Sequence, residues 1–287
     1  MKLYAGHYDV VVQKRRFTNS WGRLERAAKH LAAFTTEWAG MLADNGFSTF
    51  ARYDKDSGWF IASGVLTEAA AKRVSENNLS LEVGELAYQL RAALDGLIWE
   101  TITHTQGFEP PADASRIEFP ILNGKRRDFK ECAFLKHPFP EKLATWLESI
   151  QPDTDVKLEG DPDRGLNVTL EDIHNLARLD RHRRLRIVVA VPTKLKFGFT
   201  TDPVSRIIAR ERIETFNLFS GQLEFLRFQV ETADGSMVKK GSLQTELTLE
   251  ILAEGVEPYE DRDIGTQLMR FLTAVERVIE RFEEEFN

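Results

Sequence analysis

Residues 169–186, TLEDIHNLARLDRHRRLR, are the stretch that decides the fold. Thr169, followed three residues later by Asp172 and then by an apolar residue, predicts an N-cap and a helix that begins near Leu170. At about 100° per residue, one face of this helix carries three apolar residues and an aspartate: Ile173, Leu176, Ala177 and Asp180. An aspartate on a face that packs into the core needs a partner there.

The second face of this helix carries an acid, imidazoles, an amide and a guanidinium: Glu171, His174, Asn175, Arg178 and His182. Such groups can perform general acid–base chemistry on a phosphodiester, with His182 or His174 moving a proton and Arg178 stabilising the developing charge. The alternative is a buried ion-pair network that sets how two helices pack, with the histidines facing solvent. The sequence leaves both interpretations open.

A central helix is predicted over residues 81–104, with Ser80 as its N-cap, because apolar residues extend around most of its circumference. Arg91 and Asp95 lie one turn apart beside its main apolar face. They can bond within their own helix or reach the 169–186 helix, and we favour a cross-helix contact with Asp180 or Arg184. The predicted site is the strip that faces residues 171–184 and comprises Tyr88, Arg91, Asp95 and Trp99.

Two further long helices are predicted near 19–43 and 263–286, where apolar residues recur at three- and four-residue spacing. Helices with such seams need a partner helix, either each other or their copies in a homodimer. Residues 47–66 predict a β-hairpin, and segments of period two after Arg186 predict an antiparallel sheet of four or five strands, the first of them ending at Pro192.

The fold class predicted from these elements is α+β: about four main helices with an antiparallel sheet, in one composite domain over residues 1–287. Residues 105–168 contain seven of the ten prolines, which predicts an irregular excursion with one short helix at 140–150. Its aromatic residues require packing partners, so the excursion should not be disordered.

The formal net charge of −7 gives no overall attraction to nucleic acid. Local basic clusters could still contact phosphates, although solvated surface is the simpler interpretation of them. The clusters are Lys14–Arg16, Lys125–Arg127, Arg178–Arg186 and the arginines at 206, 210 and 212. The single cysteine, Cys132, excludes an intramolecular disulfide, and no apolar run is long enough to cross a membrane. We expect a cytoplasmic protein.

One metal alternative comes from Glu171 and His174, which form a Glu-x-x-His step, together with Glu100 and His104 on the central helix. Carboxylate-bridged di-iron bundles need this step twice and two further glutamates. The sequence contains one clean copy, and nucleophile and phosphate-loop motifs are absent. No metal and no cofactor are therefore predicted.

The two central stretches, LAYQLRAALDGLIWE and LEDIHNLARLDRHRRL, resemble the signature helices of an uncharacterised family of bacterial and phage proteins with L-R-x-A-L-D and D-K-H-R patterns. The resemblance covers residues 20–200, including FPI at 119–121 and IQP at 150–152. The resemblance marks five residues of this chain: Arg91, Asp95, Asp180, His182 and Arg183. Arg181 stands where the family usually has a lysine.

More remotely, the chain is similar to HEPN-type RNases, whose motif is Arg-x(4–6)-His. Here Arg178 and His182 have three residues between them and share a helix face. The resemblance implies an HEPN-like effector acting on RNA in bacterial stress or phage conflict. The alternative is a non-catalytic interaction protein that forms homo-oligomers through its heptad helices. Whether the chain is an enzyme stays open at this point. The candidate catalytic residues are Arg178, His182, Asp180, Arg91, Asp95 and His174.

Overall fold

The structure, a computed structural model, describes residues 15–43, 47–68, 78–107, 113–122, 128–152, 163, 165–182, 187–200, 205–217, 222–232, 234, 236, 238, 242–253 and 264–286. It describes the backbone alone for residues 41–43, 47, 66, 78, 180–182, 187–200, 205, 212–217, 222–223 and 242–253. The helices within these residues are α1 (Thr18–Ala43), α2 (Asn78–Gln106), α3 (Glu141–Ser149), α4 (Leu166–His182) and α5 (Ile264–Phe286).

The strands are β1 (Phe47–Asp54), β2 (Trp59–Leu66), β3 (Ile187–Thr200), β4 (Ser205–Asn217), β5 (Gln222–Thr232) and β6 (Ser242–Ala253). Helices and antiparallel strands together confirm the α+β class. The chain divides into two compact units. The helical unit comprises Met1–His30, Glu85–Arg178 and Leu268–Asn287, and the sheet unit comprises Leu31–Gly84 and Leu179–Gln267. The single composite domain stays a prediction.

The core of the helical unit is built from the apolar faces of its long helices. From α2 it takes Leu86, Leu90, Leu94, Leu97 and Ile98, and from α5 it takes Phe271, Val275, Val278 and Phe282. The apolar residues predicted for α4, Ile173, Leu176 and Ala177, are buried as well. The heptad seam of α5 is therefore covered within the chain itself.

Two carboxylates from other helices hold the start of α1. Glu100 of α2 accepts hydrogen bonds from the backbone N–H groups of Asn19 (3.0 Å) and Ser20 (3.1 Å) and from the Ser20 hydroxyl (2.7 Å). Glu283 of α5 accepts from the N–H groups of residues 16 and 17 and from the indole of Trp21 (3.2 Å). Acceptors with negative charge suit a helix N-terminus because its first N–H groups lack helical partners. The first turn of α1 is thus fixed to α2 and α5.

Aromatic residues of the Pro-rich stretch pack onto α5. Phe134 lies 4.8 Å from Phe139, and Phe139 (6.2 Å) and Trp146 (6.3 Å) both lie edge-on to Phe282, between ring centroids. Short 3-10 turns at 114–116, 129–131 and 133–136 replace regular helices here, as expected from the prolines, and α3 confirms the predicted short helix. The stretch is irregular but contributes to the core.

Both predicted helix caps were wrong. α4 begins at Leu166, so Thr169 lies inside the helix, and its hydroxyl donates to the carbonyl oxygen of Gly165 at 2.7 Å. α2 begins at Asn78, so Ser80 also lies within the helix. Serine and threonine hydroxyls can serve as caps or can donate to the carbonyl four residues earlier, so the pattern alone does not distinguish the two positions.

In the sheet unit, four strands form an antiparallel sheet in the order β1-β2-β5-β4, and β3 pairs with β6 separately. The predicted hairpin of residues 47–66 is confirmed, but it joins the later strands in a way that the sequence analysis missed. The end of a strand at Pro192 was also wrong. β3 continues through Pro192, and the register shifts on both sides of it because proline donates no ladder hydrogen bond. In the described residues no helix is long and apolar enough to span a bilayer.

Candidate functional site

The buried Arg91 and its neighbour Asp95 bind the backbone of Phe119. The Nη2 atom of Arg91 lies 2.8 Å from Asp95 Oδ1 and donates to the Phe119 carbonyl oxygen at 3.0 Å. Asp95 Oδ1 accepts the Phe119 N–H at 2.9 Å. The pair thus bonds within α2, one of the two arrangements predicted, and satisfies both backbone polar groups of one residue.

The residues that follow Phe119 are held by Gln151, which is buried. Its Oε1 accepts the N–H of Leu122 at 3.0 Å, and its Nε2 donates to the carbonyl oxygens of Pro120 (3.2 Å) and Leu147 (2.7 Å). We call residues 117–122 the clamped segment. The FPI and IQP stretches named above therefore meet through Gln151, which the sequence analysis did not single out.

The polar side chains of this cluster hold the backbone of the clamped segment. Arg91 is 5% exposed, so the burial of its charge has to be compensated by nearby carboxylates, and Glu118 Oε2 lies 3.8 Å from its Nη2. Among the described residues, Arg91 Nη1 has no hydrogen-bond partner. Removal of Asp95 would leave a buried guanidinium without its closest counter-charge, which is costly in a protein interior.

The other predicted site residues lie on α4. Arg178 is exposed, and the half-buried His174 precedes it by one turn, so these two share a side of the helix. Asp180 and His182 belong to α4, but their side chains lie outside the described residues, as do Arg183 and Arg184. The structure therefore brings Arg91 and Asp95 together, and the predicted contact of this pair with Asp180 or Arg184 stays a prediction.

Asp172 is a titratable group that the sequence analysis assigned only to a cap. Burial raises its pKa to about 6, against the lowering effect of Arg270, and the neighbouring Glu171 raises the pKa further. Arg270 of α5 also donates to the carbonyl oxygen of Gly165 at 3.2 Å. The available signal was its position one turn before the apolar Leu176, on the same side of the helix.

Hydrogen bonds of His137 join the end of α2 to the Pro-rich stretch. His137 Nε2 lies 2.5 Å from Asp113 Oδ1, and its Nδ1 lies 2.9 Å from Gln106 Nε2. The hydrogen bond with His137 lowers the pKa of Asp113. Both ring nitrogens are engaged, so this imidazole has no free nitrogen for proton transfer. No sequence pattern pointed to it, because its partners lie 24 and 31 residues away.

The carboxylate and the histidine of the metal alternative that lie on α2 have other contacts. Glu100 caps α1, and His104 Nε2 lies 3.3 Å from the carbonyl oxygen of Arg16. Within the described part of the chain, no group of three or more histidine, cysteine, aspartate or glutamate side chains has an arrangement suited to a metal ion.

Two arginines of the basic clusters form ion pairs within the chain. Arg15 lies 2.7 Å from Glu25 and stacks over the Trp21 ring, and Arg206 lies 3.2 Å from Glu231. The clusters at 125–127 and 183–186 lie outside the described residues. Paired arginines have less charge to offer a phosphate backbone.

No family model matches the chain, and no curated protein or solved structure matches it significantly. The resemblance to the bacterial and phage family and to HEPN-type RNases stays a prediction. The function must therefore be inferred from the residues of the chain itself.

Proposed function

We propose that this protein is a non-catalytic interaction protein that self-associates, and that its Arg91–Asp95 pair serves the fold. One observation carries this proposal. The pair binds the N–H and the carbonyl oxygen of Phe119, at 2.9 and 3.0 Å, which commits these side chains to the backbone of their own chain.

A catalytic acid, base or anion-binding group must reach a reacting atom of the substrate. Arg91 is nearly inaccessible, and the Asp95 oxygen that contacts it also holds the clamped segment. The strongest polar cluster predicted from the sequence thus has the contacts of a structural element. In some proteins, buried ion pairs of this kind are retained because they give packing specificity.

Self-association requires a surface that the fold leaves exposed. The α5 seam, predicted as the dimer contact, is buried within the chain, so a second copy would have to bind elsewhere. Large apolar side chains are exposed in each unit. The helical unit exposes Tyr88 and Met269, and the sheet unit exposes Phe50, Ile207 and Ile208. Exposed apolar groups of this size are typical of interaction surfaces when they cluster.

The test is the molar mass in solution, measured by light scattering after gel filtration over a hundredfold range of concentration. The proposal predicts a dimer or higher species that dissociates on dilution. A monomer across the whole range would contradict self-association. Cleavage of labelled RNA by the purified protein, abolished by a site substitution, would contradict the non-catalytic assignment.

The second candidate is an HEPN-like effector that acts on RNA through α4. It is favoured by the exposed Arg178, one turn from His174 on the same side of the helix. RNA cleavage would be compared between the wild type and the Arg178→Ala, His174→Ala and His182→Ala variants. Arg26→Ala, which removes an exposed arginine from α1, is the matched control. Loss of cleavage in the α4 variants alone would support this candidate, and no cleavage by the wild type would reject it.

A further inference from the structure

The strand β4 lies at an edge of the four-stranded sheet. It pairs with β5 on one side, and no strand in the described residues pairs with its other side. The outer edge of a strand presents backbone N–H and carbonyl groups that can pair with another chain. With 13 residues, β4 is long enough to form a ladder.

A bulge in β4 rearranges which side chains share a face. Ile207 is opposite Val230 and Ala209 is opposite Gln229, so Ile208 is an extra residue in the strand. One face of β4 carries Arg206, Ala209 and Glu211, which lie opposite Glu231, Gln229 and Arg227 of β5. The other face of β4 carries Ile207 and Arg210.

Residues 206–211 carry opposite charges and an apolar centre at this edge. Arg206, Arg210 and Glu211 are exposed, and so are Ile207 (38%) and Ile208 (44%). Arg206 contacts Glu231, yet 79% of its side-chain surface remains accessible, so it can take a second partner. Exposed isoleucines on an edge strand favour association, because pairing removes them from water.

We propose that β4 pairs antiparallel with β4 of a second copy of this chain, around a two-fold axis that passes through Ala209. This rests on the proposed self-association and names its surface. With Ile208 bulged out, Arg206 of each copy faces Glu211 of the other, and Ile207 faces Arg210. The two Ala209 residues face each other, where a small side chain allows close approach.

Charge selects this register over its neighbours. An axis through Arg210 would bring two arginines face to face, and an axis through Glu211 would do the same for two glutamates. Like charges directly opposite in a sheet are destabilising, whereas opposite charges stabilise the pair. The axis through Ala209 is the symmetric one that forms two opposite-charge pairs from residues 206–211, as an isologous interface requires.

The first test is a charge swap. Arg206→Glu and Glu211→Arg should each raise the dimer dissociation constant about fivefold, because each replaces two opposite-charge pairs by like-charge pairs. The double variant restores the pairs and should return the constant toward that of the wild type. Arg52→Glu, an exposed arginine on β1, is the control and should leave the constant unchanged. Melting temperatures would verify that each variant is folded.

The second test is a cross-link that depends on register. Ala209→Cys places two thiols opposite each other, at a Cα separation of about 4.5–5.5 Å that suits a disulfide. With copper phenanthroline as the oxidant, we expect a covalent dimer from Ala209→Cys and none from Arg210→Cys or from the wild type, whose Cys132 is buried.

The outcomes separate the two proposals. A monomeric wild type overturns the self-association and this interface together. The β4 interface is overturned if the dimer dissociation constant does not change with the charge swap and Ala209→Cys gives no cross-link. Self-association through another surface then stands.

Discussion

Asp95 of α2 accepts the backbone N–H of Phe119, 24 residues further along the chain, at 2.9 Å. The same carboxylate oxygen lies 2.8 Å from the guanidinium of Arg91, which itself donates to the Phe119 carbonyl. The Arg91–Asp95 pair thus makes the two hydrogen bonds to the Phe119 backbone that a neighbouring β-strand would make. The segment contains a proline and forms no strand, so these side chains supply the hydrogen bonds that a sheet would otherwise provide.

Replacing Asp95 by alanine should destabilise the protein by about 2–4 kcal/mol, because it removes the counter-charge of a buried arginine and leaves the Phe119 N–H unsatisfied. Asp95→Asn keeps an acceptor for the N–H and should cost less. The free energy of unfolding in urea is the measurement, with the exposed Asp56→Ala as control. A loss below about 0.5 kcal/mol for Asp95→Ala would mean that the pair has no structural role.

Gln151 should also stabilise the clamped segment, even though it is uncharged. It is 4% exposed and joins Leu122 and Pro120 to α3, so Gln151→Leu leaves buried backbone groups without partners. We expect a loss of about 1–3 kcal/mol. Hydrogen exchange of the Leu122 amide should accelerate in the same variant. Glu148→Ala, an exposed change on α3, should alter neither quantity, and equal effects of the two substitutions would refute the clamp.

The cap of α1 gives a third prediction. Glu100→Ala removes the acceptor for two N–H groups and one hydroxyl, and we expect a loss of about 1–2 kcal/mol. Glu100→Gln retains acceptor oxygen without the charge and should lose less. The exposed Glu85→Ala on the same helix is the control. Urea unfolding that does not distinguish Glu100→Ala from this control would contradict the assigned cap.

Elements whose evidence is local were predictable from the sequence. The heptad steps in α5 and the turn of the β1–β2 hairpin depend on residues a few positions apart, and both are confirmed. The membership of the sheet was not predictable. β2 pairs with β5 more than 150 residues later, as in Phe60 with Phe228. No feature in the sequence of either strand identifies the strand with which it pairs.

The candidate site, like the sheet, was only partly predictable from the sequence. Arg91 and Asp95 stood out because charged residues one turn apart beside an apolar face are unusual in a buried helix. Their target did not stand out, because they bind the backbone of Phe119, and every residue has such a backbone. Gln151 was missed for a similar reason, since a single buried glutamine has no periodic signature.

The pH dependence of stability tests the environment of Asp172. Its pKa is raised from 3.8 to about 6 by burial, so the folded state binds the proton more tightly than the unfolded state does. The resulting stabilisation is fully present below about pH 4 and is lost as the pH rises through 6. Asp172→Asn cannot lose a proton, so it should be more stable than the wild type by about 1 kcal/mol at pH 7.5, after allowance for partial exposure, and nearly equal to it at pH 4. Urea unfolding from pH 4 to 8 measures the difference, with Asp56→Asn as an exposed control. A difference that stays constant with pH would show that folding does not raise the pKa of Asp172.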